Sequence, residues 1–154
     1  MDIHDTVPFF EILDMDGSTV TQKDLIAHYT VLYFYPKDNT PGCTKQACSF
    51  RDHLEKLKAY NVQVWGVSSD SAQSHKKFME KHKLTFRLLC DPRKELAQLF
   101  GLFKEQSLLN KILKGVPRTT FIIDPEGKVV WKEKKVSVAG HTERILEFLQ
   151  QLKK

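Results

Sequence analysis

The sequence predicts an α/β domain: a mixed central sheet with helices on both faces, in three layers. Three observations lead there. Continuous apolar, β-branched and aromatic runs at residues 30–36 ("TVLYFYP") and 62–70 ("VQVWGVSSD") suit strands buried on both faces. Segments with apolar residues at helical spacing separate and follow these runs. Finally, "RTTFIIDPEGKVVWKE" reads as two strands joined by a turn at residues 124–127, which adds an antiparallel edge. Strands that alternate with helices imply crossover connections and a parallel core to the sheet. The 154 residues are enough for one domain with a full core, and no repeat or linker divides them, so residues 1–154 are expected to form a single domain.

The elements follow in order. "EILDMDGSTVTQKDL" places Asp16 and Gly17 between alternating runs, which predicts an N-terminal β-hairpin. After the first buried strand, Cys43, Ala47, Phe50, Leu54 and Leu57 mark one face of a helix over residues 41–60. Pro41 suits its first turn, where the missing N–H costs nothing, and Thr40 is a good N-cap. A second helix is expected over 71–84, with Ala72, Phe78 and Met79 its least polar residues. A short strand, "TFRLLCDP", ends at a proline. The next helix, over 94–103, carries Leu96, Leu99, Phe100 and Phe103 on one stripe, and the last carries Ile145, Phe148, Leu149 and Leu152.

Composition narrows the function classes. No apolar run approaches the ~20 residues of a membrane span. The N-terminus lacks a basic region followed by an apolar stretch, so no secretory signal and a cytoplasmic location are expected. The net charge of +5 resides in lysine clusters interleaved with glutamates ("KEKK", "HKKFMEKHK"), which read as solvated faces rather than a nucleic-acid site. Three cysteines are too few for a disulfide framework; a close pair in a reducing compartment points to catalysis or metal binding.

That pair is Cys43 and Cys48. Cys43 follows a buried strand and opens a helix, where free N–H groups and the helix dipole favour a thiolate, the nucleophilic form. Five residues of helix would set the two Cα atoms roughly 8–9 Å apart. A disulfide needs about 4.4–6.8 Å. The pair can therefore bond only if the first turns of the helix open, which is a local event of low cost. Three readings compete: redox catalysis, a zinc half-site and two buried small side chains. The zinc reading lacks a second close ligand pair, because Cys90 stands alone and the six histidines form none. For Cys43, flanked by Pro41 and Gly42 at a helix start, redox chemistry is the reading we carry forward, with no metal and no cofactor.

At "YPKDNTPGCTKQACSFRD" the sequence resembles the peroxidatic site of the peroxiredoxins, Pro-x-x-x-Thr/Ser-x-x-Cys, here Pro36, Thr40 and Cys43. It is closer still to the peroxiredoxin Q, or bacterioferritin comigratory protein, group, which carries a second cysteine five residues on. The resemblance runs through "VWGVSSDS", "FRLLCDP" and "GVPRTTFIIDPEGKV". It implies a thioredoxin-like fold and thiol-dependent reduction of hydrogen peroxide and organic hydroperoxides. By the family's roles, Cys43 attacks the peroxide, Cys48 resolves the sulfenic acid as an intramolecular disulfide, and a thioredoxin-type dithiol recycles it. Thr40 would offer its hydroxyl to the sulfur and the peroxide. Arg118 would stabilise charge on the leaving oxygen, and Pro36 would shape and dry the pocket. Lys37, Asp38 and Asn39 are expected to be solvated loop residues.

Two departures bear on the resolving thiol. Cys90 stands where relatives carry a small residue and is expected to be a core cysteine at a strand end. The position where some relatives place a resolving cysteine on the next helix is Met79 here, and no cysteine follows the last helix. Both observations point to Cys48; the resemblance and the intramolecular pair imply a monomer. A thiol–disulfide oxidoreductase would want Cys-x-x-Cys, which is absent. A redox sensor using the same pair is the remaining alternative.

Overall fold

The protein was analysed as a computed structural model, which describes residues 1–103 and 115–152. One seven-stranded sheet organises it. The strands are β1 (Glu11–Asp14), β2 (Thr19–Thr21), β3 (Tyr29–Phe34), β4 (Val62–Ser68), β5 (Arg87–Cys90), β6 (Thr119–Ile123) and β7 (Val129–Glu133), in the order β2-β1-β5-β4-β3-β6-β7. β3, β4 and β5 run parallel; β6 pairs antiparallel with β3, β7 with β6, and β1 with both β2 and β5. Both sequence-predicted hairpins form, with Gly17 and Gly127 at positive φ in their turns, the conformation glycine adopts without strain.

Five α-helices are described: α1 (Pro41–Asp52), α2 (Leu54–Ala59), α3 (Ala72–His82), α4 (Glu95–Leu99) and α5 (His141–Leu152). Side chains alternate along the strands, so the two sheet faces carry two cores. Tyr33, Val31 and Val64 pack with Ala47 and Phe50 of α1, Leu57 of α2, Phe78 of α3 and Ile145 and Leu149 of α5. Leu32, Phe34, Trp65 and Val67 pack on the other face with Leu96 and Ala97 of α4 and with Val7 and Phe10 from the N-terminal segment. None of the described helices is long and apolar enough to cross a membrane.

Three expectations are adjusted. The helix expected over 41–60 is two: the break falls at His53, whose ring Nδ1 lies 2.8 Å from the Ser49 carbonyl. The helix expected over 94–103 is regular only to Leu99, and Leu99 is 39% exposed although it shares the predicted stripe. After α4 the chain turns at Gly101, φ +78°, so helical spacing no longer decides which side chains face inward. Part of the link between α4 and β6, residues 104–114, lies outside the described residues.

Candidate active site

The C-terminal ends of the parallel strands β3, β4 and β5 lie at one edge of the sheet, the usual place for a site in an open α/β sheet. β3 ends there at Phe34, and the chain runs through residues 35–40 into α1. Because β6 is antiparallel to β3, it begins at that same edge: Thr119 pairs with Phe34. Arg118, the residue before β6, is thereby set against the first turn of α1.

Cys43 is the third residue of α1 and is 1% exposed; Cys48 is half-buried two positions beyond Gln46. Both are free thiols, and α1 is continuous through them. Arg118 approaches closely: a Cβ placed on Gly42 would lie 3.1 Å from its Nη2. Arg118 Nη1 donates to Gln46 Oε1 at 2.7 Å. Gln46 Nε2 in turn lies 3.4 Å from Nδ1 of His141, the first residue of α5. Burial holds His141 down at about 4, so it is neutral at pH 7 and its Nδ1 accepts from Gln46. Burial also pushes the Tyr33 phenol well up, and Cys43 and Asp38 add to this while Arg118 opposes it, so these groups share one electrostatic neighbourhood.

Thr40 occupies the N-cap position with extended φ and ψ, but its hydroxyl donates to the Lys37 carbonyl at 3.0 Å instead of capping the helix. Pro36 is half-buried in the same loop. The structure thus brings Pro36, Thr40, Cys43 and Arg118 to one end of the sheet, with Cys48 five residues further along α1.

Asp38 corrects the sequence reading. It was expected in solvent, yet it is 4% exposed. Its carboxylate accepts from Tyr35 Oη (2.6 Å), Ser74 Oγ (2.8 Å) and His75 Nδ1 (2.8 Å), and its backbone N–H donates to Asp70 Oδ2 (2.8 Å). His75, wholly buried, donates from Nε2 to the Leu89 carbonyl at 2.9 Å. Burial alone would lower His75, but its bonds to Asp38 and Cys90 and the Asp38 charge raise it to about 10. Burial alone would raise Asp38, but the bonds from His75 and Tyr35 and the His75 charge hold it below the usual carboxylate range. The two form a buried ion pair. Asp38, Asp70 and His75 bring donor atoms within 4.8 Å of one another, the spacing of a metal site, but both ring nitrogens of His75 are engaged as donors. Cys90 is half-buried rather than in the core, with its Sγ 3.8 Å from the Asp14 carbonyl.

A signal for Gln46 was present in the sequence: it stands three residues after Cys43, one helical turn on, on the same face. His75 falls three residues before Phe78 on α3, a polar residue on the buried stripe. The partners of Asp38 come from three elements and leave no local pattern.

Residues 3–132 match the family model described as AhpC/TSA family. The chain belongs to the AhpC/TSA family of peroxiredoxins, in the peroxiredoxin Q group. It is 41% identical to "Peroxiredoxin Bcp" of Bacillus subtilis, over 99% of this chain and 97% of the relative. It is 36% identical to "Peroxiredoxin Bcp" of Escherichia coli, over 96% and 94%. A Cys-to-Ser variant of a peroxiredoxin Q from Xylella fastidiosa superposes with a TM-score of 0.91 at 34% identity, covering 100% of this chain and 98% of that one. The bacterioferritin comigratory protein of Xanthomonas campestris, whose structures concern alkyl peroxide reduction, superposes at 0.85 with 34% identity, covering 94% and 92%. The fold is therefore thioredoxin-like, and the peroxiredoxin is an enzyme, a thiol peroxidase.

Proposed function

We propose that Cys43 is the peroxidatic thiol and Cys48 the resolving thiol of this peroxiredoxin, acting on hydrogen peroxide and organic hydroperoxides. The Cys43 sulfur attacks one peroxide oxygen. The O–O bond breaks, the leaving oxygen takes a proton as water or alcohol, and Cys43 becomes a sulfenic acid. Local opening of α1 lets the Cys48 sulfur displace that hydroxyl as water, which forms the Cys43–Cys48 disulfide. A thioredoxin-type dithiol then transfers two electrons and two protons, restoring both thiols. Arg118 stabilises charge on the leaving oxygen, Thr40 orients peroxide beside the sulfur, and Pro36 closes the pocket against water. The enzyme works as a single-domain monomer in the cytoplasm.

The observation that supports this reading is the Arg118–Gln46 bond, which holds a guanidinium beside Gly42, the residue before Cys43, in the first turn of α1. The test is intact-mass and peptide mapping within seconds of adding one equivalent of hydrogen peroxide to the reduced protein. A loss of two hydrogens mapped to Cys43–Cys48 is expected. Cys43→Ser should abolish turnover, and Cys48→Ser should consume one peroxide per chain, cycle poorly with thioredoxin and gain sulfinic acid. Sustained turnover by Cys43→Ser would overturn the assignment.

A further inference from the structure

We propose that the buried Asp38–His75 pair is a clamp on the reactive loop: it positions the first turn of α1 for reaction with peroxide and sets how readily that turn opens. The inference rests on Cys43 being the peroxidatic thiol. Asp38 lies midway between the end of β3 and the start of α1, five residues before Cys43. Its four bonds reach Tyr35 beyond β3, Asp70 beyond β4, and Ser74 and His75 on α3. Ser68 Oγ also donates to Asp70 Oδ2 at 2.7 Å, so the acceptor of the Asp38 backbone is itself held. The loop is thus pinned at one point to rigid elements. The next residue, Asn39, is exposed and has φ +62°, a left-handed conformation that an asparagine adopts more readily than most residues. Fixed at 38 and turned at 39, the chain enters α1 on a set path, and Cys43 is held at 1% exposure.

The clamp has a reason to be ionic. A buried carboxylate with two hydroxyl donors and an imidazolium is stable only while all are in place, and removing the imidazolium leaves a charge unpaired in the interior. Such a device is closed or open with little in between, which suits a loop that must be ordered for one step and released for the next. The groups facing His75 are Asp38, Asp70, Tyr35, Leu89 and Cys90, and the pair stays charged across the neutral range. Asp38 and His75 act through the loop, so they are positioning residues.

Asp38→Asn tests this with little change of shape: with its oxygen still accepting from Tyr35, the amide nitrogen can donate to a neutral His75, and the ion pair and the bond accepted from Ser74 are lost. Two rates are measured on the full chain and mapped to Cys43: alkylation by N-ethylmaleimide, which reports opening of α1, and oxidation by hydrogen peroxide in a single turnover. The clamp predicts opposite changes, alkylation at least about tenfold faster and oxidation at least about tenfold slower, with a lowered melting temperature but a chain still folded at the assay temperature. Less sulfinic acid should form at excess peroxide, because the opened loop reaches Cys48 sooner. His75→Gln should move the two rates in the same directions with a larger fall in melting temperature, because it leaves the Asp38 carboxylate without its cation. Both rates unchanged, or both moved in the same direction, would overturn the proposal, as would failure of both variants to fold. An unsubstituted chain that alkylates but does not oxidise would refute the peroxidatic assignment, while the alkylation contrast still judges the clamp.

Discussion

Gln46 holds Arg118 through its carbonyl and faces His141 through its amide. A hydrogen bond to a charged group contributes about 1.5–3 kcal/mol, and in the proposed mechanism it fixes the guanidinium that meets the leaving oxygen. Gln46→Ala should therefore lower kcat/KM for peroxide about tenfold or more and leave the cysteines intact by mass. Stopped-flow turnover with a thioredoxin system checks this, and an unchanged kcat/KM would make the Gln46 contact incidental. Arg118→Ala should cost at least as much in the same assay, because it removes the charge itself. At this scale the proposed site was legible wherever its residues share a local motif: Pro36, Thr40, Cys43 and Cys48 lie within thirteen residues. Arg118 was found only through the family resemblance. Asp38 was misread because burial is not a property of a loop sequence. Its partners at positions 70, 74 and 75 approach only after α3 packs on the sheet.

The elements explain why these residues meet. Tyr33 and Gly66 are paired across β3 and β4, and the Tyr33 ring lies over the glycine. The same ring stacks on Phe50 of α1 with centroids 4.6 Å apart. Gly66 is the hollow that lets α1 sit at that height above the sheet. A Cβ there would lie 2.8 Å from Leu88 Cδ2 and 2.9 Å from Tyr33 Cζ and Oη. Gly66→Ala should destabilise the fold by about 1–3 kcal/mol, the usual cost of overpacking, and slow peroxide reduction by shifting α1. Urea unfolding and kcat/KM on one preparation check both; full stability would mean that Tyr33 yields without disturbing α1. Both hairpins and the parallel strands were legible from period and turn residues. The break at His53 was not, since Cys43 to Leu57 keep helical spacing across it. Nor was the exposure of Leu99: a stripe on a helix of five residues is too short for its face to be fixed by periodicity alone.

For the whole molecule, two buried histidines of opposite character set the response to pH. His75 is pushed up to about 10 from the ordinary 6.5, so the stability it contributes is complete below 6.5 and is lost as pH rises through about 10. His141 is pushed down to about 4, so its neutral form is stable in the fold above 6.5, and stability is lost as pH falls from 6.5 through about 4. Asp38, held below the usual carboxylate range, keeps its contribution until the pH falls through that lowered value. The two histidine slopes oppose one another and meet where an unfolded histidine titrates. Stability should accordingly peak near pH 6.5, with an acid limb of up to about 3 kcal/mol from His141 at 1.36 kcal/mol per pH unit. The check is a series of urea midpoints from pH 4.5 to 9.5 on the reduced protein. His141→Asn should flatten the acid limb, and His75→Gln the alkaline one. A profile already flat between pH 4.5 and 6.5 in the unsubstituted chain would mean that His141 reaches solvent when protonated and is not locked neutral beside Gln46. The Arg118–Gln46–His141 chain would then be looser than its distances imply.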